Sequence, residues 1–272
     1  MGRDSDRILR ELNTKHLRVE TLDTVTSTNE LLLMRGLSGE AEGLILTADR
    51  QTAGRGRSGR SFYSPEGTGI YTSILLRPRH LAIGQVEKLT PLAAVAVCET
   101  LEEFVSEDLR IKWVNDIYRN GRKICGILAQ AAGTFTDGVP DYVVLGIGIN
   151  LRIPKEDLPK AIENVAGGLW EEEDGRRRME ADPFVREAII GRLWKRFYEM
   201  YRKPDRAEYI RSYRSRMLFL GETICAYDGA DGSERTAELL DLTDDYGLVL
   251  LYEGKKQPVE VKTGEIRIRR MT

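Results

Sequence analysis

Apolar and polar positions follow two different rhythms along the 272 residues. Up to about residue 216, solid apolar runs alternate with stretches of helical spacing; beyond it the runs shorten and turn residues crowd between them. The chain begins extended at Arg18–Thr21. Ser27-Thr28-Asn29-Glu30 has the form of a capping box, a hydroxyl at the N-cap with a carboxylate three residues on, opening a helix to about Arg35. GLILTA at 43–48 and TGIYTSILL at 68–76 read as buried strands. Pro91 at N1 starts a helix through Val105, with Leu92, Val95, Ala96 and Glu99 on one face. Strands at Arg110–Val114 and Asp116–Arg119 lead to Asn120-Gly121, a pair that accepts the positive φ angles of a tight hairpin, and RKICGILAQ returns from it. DYVVLGIGINL at 141–151 is a further strand. Asp182-Pro183 supplies an N-cap and N1 for an amphipathic helix to about Arg202 that buries Phe184, Ile189, Leu193, Trp194 and Phe197. Another helix covers roughly Asp205–Arg216, and the charge cluster EEEDGRRR at 171–178 reads as a solvated loop.

From Gly221 onward, ETICAYD, RTAELLDL, GLVLLY, QPVEVK and EIRIRR are short strands separated by Asp-Gly, Asp-Tyr-Gly and Glu-Gly turns. They predict a small closed or nearly closed β-barrel of SH3-like size. The fold class is therefore α+β: a mixed sheet flanked by helices, followed by the barrel. Expected boundaries are a short N-terminal segment at 1–17, a main domain at 18–218 and the barrel at 219–272.

Composition narrows the chemistry. Lys and Arg number 41 against 43 Asp and Glu, a net charge of −2, which argues against a general nucleic-acid binder needing a basic excess. The longest stretch free of charged residues, Ile124 to Thr136, falls well short of the ~20 apolar residues of a membrane span. MGRDSDRILRELNTKH at the start has no apolar core of a secretory signal. Cys98, Cys125 and Cys225 lie far apart, which excludes a disulfide framework or a zinc site and points to a reducing cytoplasm. Two histidines, His16 and His80, build neither a three-His metal site nor an obvious hydrolase triad. Chemistry here has to run on Arg, Lys, carboxylates, amides and backbone.

Four clusters offer it. Gly54-Arg55-Gly56-Arg57-Ser58-Gly59-Arg60 follows a strand and Gln51. Glycine permits close backbone approach and arginine presents a fork matched to carboxylate or phosphate, so the stretch suits a loop that wraps an anion; a plain solvated basic loop is the alternative. It lacks the spacing of a Walker A loop. Lys112-Trp113-Val114-Asn115-Asp116 is folded by the hairpin toward Arg122-Lys123, bringing cations, an amide and a carboxylate together; alternatively Lys123 is a simple exposed hairpin lysine and Asp116 pairs with Arg122. Gly146-Ile147-Gly148-Ile149-Asn150 marks either tight strand packing or ligand approach. Ser27-Thr28-Asn29 caps a helix and can at the same time turn its hydroxyls into a pocket.

The order S-T-N, Q-x-x-G-R-G-R-x-G-R, S-P-x-G-x-G-I-Y, K-W-x-N-D, R-K-I-x-G-I-L and G-I-G-I-N resembles the biotin protein ligases (biotin–[acetyl-CoA-carboxylase] ligases). The likeness spans about residues 18–151, and Gly264-Glu265-Ile266 is similar to that family's closing strand. It implies the biotin/lipoate ligase-like catalytic fold and a two-step reaction: ATP and biotin give biotinyl-5′-AMP, and biotin then passes to one lysine of a biotin carboxyl carrier protein. On the resemblance, Ser27, Thr28, Asn29, Gln51, Gly54, Arg55, Gly56, Arg57, Lys123 and Gly146 bind biotin. Arg57, Arg60, Lys112, Trp113, Asn115 and Asn150 serve ATP and the adenylate. Arg55, Arg57, Lys123 and Asp116 carry catalysis, and Asp116 meets Mg²⁺. No permanently bound cofactor is implied.

Where the family usually has Pro, Trp and Ala, this chain has Val114, Phe62 and Cys125, all apolar packing variants; Cys125 puts a thiol beside the expected pocket, within reach of alkylation. Some relatives carry an N-terminal winged helix-turn-helix and act as repressors. About sixteen residues precede the pattern here, so a ligase without DNA binding is expected. Relatives occur as monomers and as dimers pairing sheets edge to edge, which strands near 141–151 could do. The alternatives are a lipoate ligase-like enzyme, whose usual His-Asp pair after a Gly-rich stretch is missing, and a non-catalytic biotin sensor. Val165 to Trp170 is a candidate for covering the adenylate, with Trp170 as plain core the other reading.

Overall fold

The computed structural model describes residues 3–81, 83–154, 158–204, 206–228, 232–262 and 266–270. The elements in chain order are α1 (Arg3–Leu12), β1 (Arg18–Val25), α2 (Thr28–Leu37), β2 (Leu44–Gln51), β3 (Gly69–Leu76), the single turn α3 (Ile83–Val86), α4 (Leu89–Leu101), β4 (Arg110–Lys112), β5 (Asp116–Arg119), β6 (Arg122–Thr136) and β7 (Val139–Asn150). Then come α5 (Glu172–Ala181), α6 (Val185–Tyr201), α7 (Ala207–Arg216), β8 (Thr223–Asp228), β9 (Glu234–Leu242), β10 (Leu248–Tyr252), β11 (Val259–Val261) and β12 (Ile266–Arg270).

Seven strands form a mixed sheet in the order β1-β2-β3-β7-β6-β5-β4, with β1 and β2 parallel and the other neighbours antiparallel. Strand period decides what each face does. On β7, Val143, Leu145, Ile147 and Ile149 enter the main core with Leu92, Leu193, Trp194 and Phe197 of α4 and α6. Tyr142 and Val144 point the other way, packing with Leu32 of α2 and with Leu44, Leu46 and Leu75. The same opposite-facing row continues with Gly146 and Gly148, beneath the first residues of α2, where an open cavity begins.

The hairpin at Asn120-Gly121 forms with φ of 50° and 74°, as its residues predict. Helix α4 starts two residues before Pro91 and ends at Leu101, short of Val105; it is buried on nearly every side rather than on one face. EEEDGRRR is not a loop but most of α5, held by Arg176 to Glu173 and Glu180 and by Arg178 to Asp174 at helical spacing. Phe184 is the N-cap of α6 and stays 40% exposed with the Arg7 guanidinium over its ring, so it is not part of the buried face. The N-cap is thus Phe184 and not the expected Asp182, whose carboxylate accepts from the Phe184 N–H at 3.0 Å, two residues before the observed cap. Asp205 and Gly264-Glu265 lie outside the described residues.

The C-terminal strands occur where the turns predict them, yet they make an open antiparallel sheet, β11-β10-β9-β8-β12, not a closed barrel. Among the described residues β11 and β12 are the two edges, and three-residue β11 pairs only with β10. β7 is flanked on both sides by β3 and β6, so residues 141–151 offer no edge for pairing sheets; the open flank belongs to β6 beyond Ile127, where β5 has ended. No helix among the described residues is long and apolar enough to cross a membrane.

Candidate functional site

A cavity of about 630 Å³ opens over the Gly146–Gly148 half of β7. Every residue assigned above to biotin, to ATP or to catalysis lines it except Gly54, at the base of the arginine loop.

Its polar end is the start of α2. Ser27 occupies the N-cap with its backbone extended, but its hydroxyl makes no cap bond and faces the cavity; the capping box does not form, because Glu30 turns to Arg55 at 2.6 Å. Gln51 takes over the cap, its Oε1 accepting from the Thr28 N–H at 2.9 Å while its Nε2 donates to Ser64 Oγ at 3.0 Å. Thr28 Oγ1 and Ser73 Oγ are 2.6 Å apart, Ser73 donates to Asn29 Oδ1 at 2.6 Å, and Asn29 Nδ2 donates to Gln130 Oε1 at 2.9 Å. This buried chain of hydroxyls and amides fixes donors and acceptors in one pattern. Ser73 and Gln130 were missed in the sequence. Ser73 has a faint signal, a serine inside the apolar run of β3; Gln130 has none.

The glycines of β7 have a steric reason. A Cβ on Gly146 would lie 1.9 Å from Asn29 Oδ1, and one on Gly148 would lie 2.6 Å from the Phe62 ring. GIGIN is thus a strand stripped of side chains where Asn29 and Phe62 must fit, which is the tight-packing reading of it, on the wall of the cavity.

The other end is cationic. Residues 54–62 fold back on themselves: Phe62 N–H donates to Gly54 O at 2.8 Å, Gly56 N–H to Arg60 O at 2.7 Å, and Ser58 and Gly59 take positive φ at the tip. Arg57 leaves this loop to donate to Asn115 Oδ1 at 3.0 Å, and Asn115 Nδ2 is anchored on Ile127 O at 3.0 Å. Lys123 Nζ stands 2.7 Å from Asp116 Oδ1, with both side chains about three-quarters covered, so Asp116 pairs with Lys123 and not with Arg122. Burial holds the Lys112 ammonium below the usual lysine range; Lys123 and Arg60 act the same way, and Asp116 only partly opposes them. Burial, then Asp116, pushes the Tyr118 phenol up to about 12. Among the described residues, five cations (Arg55, Arg57, Arg60, Lys112, Lys123) and one carboxylate, Asp116, line the cavity. Among the described residues no group of three or more His, Cys, Asp or Glu is placed to hold a metal ion. A metal here would have Asp116 as its protein ligand and would draw its other ligands from a bound substrate and water.

Asn150 donates to Gly167 O at 3.1 Å, tying β7 to a turn whose Ala161, Ile162, Val165 and Ala166 form an apolar ledge at the mouth. Trp170 is core, 4% exposed, with the Arg178 guanidinium over its ring. Cys125 faces away from the cavity into the main core; it is fully buried, and burial pushes its thiol far up, so it is not within reach of alkylation. The C-terminal sheet contributes as well. Ile268 lines the cavity, and Trp113 Nε1 donates to Tyr246 O at 2.8 Å across the two sheets.

Residues 21–150 match the biotin/lipoate A/B protein ligase family. The chain is 39% identical to the bifunctional ligase/repressor BirA of Bacillus subtilis over 147 residues, 54% of this chain and 44% of that protein. It is 33% identical over 175 residues to the biotin–[acetyl-CoA-carboxylase] ligase of Mycobacterium tuberculosis, 58% of this chain and 63% of that one. The match therefore spans less than half the length of the bifunctional relative. Its fold is similar to the biotin protein ligase of Aquifex aeolicus, solved in complex with biotin and ATP: TM-score 0.71, 28% identity, 93% of this chain and 99% of that one.

Proposed function

We propose, from the membership of residues 21–150 in the biotin/lipoate A/B protein ligases, that this chain is an ATP-dependent biotin protein ligase. The observation that carries the reading is one cavity that combines a fixed network of neutral polar groups at the start of α2 with five lining cations and, among the described residues, one lining carboxylate, Asp116, paired with Lys123. A neutral, hydrogen-bonding head group suits the network, and a carboxylate meeting a phosphate suits the cations.

The ureido ring of biotin needs donors for its carbonyl and acceptors for two N–H groups. Ser27 supplies a free hydroxyl facing the cavity, and the Thr28–Ser73–Asn29 chain holds its neighbours in place. The carboxylate then lies toward Lys123 and Arg57. Two negative groups ~4 Å apart repel by about 1 kcal/mol in water and about 4 kcal/mol at an effective dielectric near 20. Arg57 and Lys123 offset that repulsion and stabilise charge growing on the phosphate oxygens. A carboxylate oxygen attacks the α-phosphorus, pyrophosphate leaves, and biotinyl-5′-AMP results. In the second step the amine of the acceptor lysine attacks the acyl carbon and AMP departs. Asp116 is the lining carboxylate that can take the amine proton. ATP arrives with Mg²⁺, which Asp116 would meet on the protein side and which supplies further neutralisation of phosphate charge.

The acceptor is a lysine of a biotin carboxyl carrier protein. The near-balanced charge supports a reading without nucleic acid, and three free cysteines support a reducing, cytoplasmic setting. The deciding experiment is biotin-dependent ATP–pyrophosphate exchange on the wild type and Arg57→Ala, with lipoate as control acid. Exchange with biotin alone, lost in the variant, is expected. Exchange with lipoate instead would make this a lipoate-type enzyme, and biotin binding without exchange would make it a sensor.

A further inference from the structure

Arg122 and Lys123 are neighbours on β6 and turn to different tasks. Lys123 faces the cavity and holds Asp116. Arg122, exposed, turns away and donates from Nη1 to two backbone carbonyls, Glu163 O at 2.9 Å and Ala166 O at 3.3 Å. The backbone of Lys123 grips the same turn: its N–H donates to Val165 O and its carbonyl accepts from Gly167 N–H, each at 2.8 Å. Gly167 is shaped to this arrangement, since a Cβ there would lie 2.6 Å from Arg122 Cβ.

The turn is the ledge that presents Ala161, Ile162, Val165 and Ala166 to the cavity. Burial does little to hold it, because Val165 is 46% exposed at the mouth. Hydrogen bonds must therefore fix it, and the two N–H groups of the single Nη1 serve both carbonyls, a task for a long cation with more than one donor on one nitrogen. Gly167, held by Lys123, also accepts from Asn150, a residue assigned above to the adenylate, so the ledge adjoins the part of the cavity assigned to the nucleotide.

We infer that Arg122 is a positioning residue: it holds the 161–166 ledge beside the part of the cavity assigned to the nucleotide, in register with Lys123, without touching substrate. The inference rests on the ligase reading for the nature of the ligand beside the ledge, but not for the attachment itself.

Arg122→Ala and Arg122→Lys in the full chain test it by two routes. Without substrates, limited proteolysis within 158–167 is expected to run several-fold faster in the alanine variant and near the wild-type rate in the lysine variant. In the exchange assay, Arg122→Ala is expected to raise the ATP KM about tenfold, with kcat and the calorimetric biotin Kd within about twofold, and lysine recovers most of the loss. An unchanged ATP KM, or biotin affinity falling in step with it, overturns the inference. Should the wild type show no biotin-dependent exchange, the functional reading fails; the proteolysis comparison still decides the attachment, and equal cleavage of wild type and Arg122→Ala overturns it.

Discussion

The carboxamide of Asn29 occupies the space in which a side chain on Gly146 would begin, 1.9 Å from an ideal Cβ. Helix α2 and strand β7 can therefore meet at this point only while position 146 has no side chain, and the Ser73 and Gln130 bonds of Asn29 depend on that fit. Gly146→Ala should expel the amide from its network. Biotin affinity is expected to fall at least about tenfold and stability by about 1–3 kcal/mol, read by calorimetry and urea unfolding. Unchanged biotin binding would remove Asn29 and its partners from the substrate pocket.

Lys123 is the cation brought nearest to the lining carboxylate, and Lys123→Ala deletes it at the centre of the cationic end. The exchange rate should drop by about 100-fold or more, the scale on which a preorganised electrostatic contact acts. The ion pair is partly buried, so circular dichroism on the variant accompanies the rate measurement. A folded variant with undiminished exchange would contradict the assignment.

Titration of Lys112 gives a signed expectation. Its folded-state pKa is lowered by burial, so near neutral pH the fold holds a charge it disfavours. Stability rises as pH climbs from the folded pKa toward the unfolded one, because the unfolded chain then binds more protons. Lys112→Met should raise the melting temperature at pH 7. The gain should shrink as pH approaches 10. A variant less stable at pH 7 would mean that the Tyr118 ring, 5.9 Å from the ammonium, outweighs desolvation.

Cys98 and Cys125 are fully buried, and burial raises both thiols. Thiolate is the reactive form, so N-ethylmaleimide at pH 7.5 should leave both unlabelled in the native protein and leave exchange activity intact. Mass spectrometry of the treated protein checks this; labelling of Cys125 with loss of activity would place its thiol in the cavity.

Trp113→Phe keeps the packing and removes the bond to Tyr246 O. A buried carbonyl without its donor costs about 1–3 kcal/mol. Denaturant unfolding should show that loss, together with a raised ATP KM, because Trp113 leads directly into Asn115 and Asp116.

Much of this was legible in the chain because local rules governed it. Solid apolar runs gave β2, β3 and β7, Asn120-Gly121 gave the hairpin, and turn residues gave the five C-terminal strands. The failures share a cause. Whether those five strands close depends on how the edges β11 and β12 meet, which no local pattern encodes. α5 looked like a loop because its stability lies in pairs such as Arg178–Asp174 and not in an apolar face. The site was visible through its arginines, glycines and Lys123, while Ser73 and Gln130 carry no motif and enter only through partners 44 and 101 residues away. Cys125 was misplaced by position: it neighbours pocket residues in sequence but points to the opposite face of β6.

Lys123 is held by its backbone to the ledge and by its ammonium to Asp116. The attachment of the 161–167 turn and the placement of the ammonium beside Asp116 thus share a single residue. A displacement of the turn that keeps its two backbone bonds carries the β6 backbone at Lys123 with it, so the shape of the mouth and the charge beside Asp116 are not independent variables.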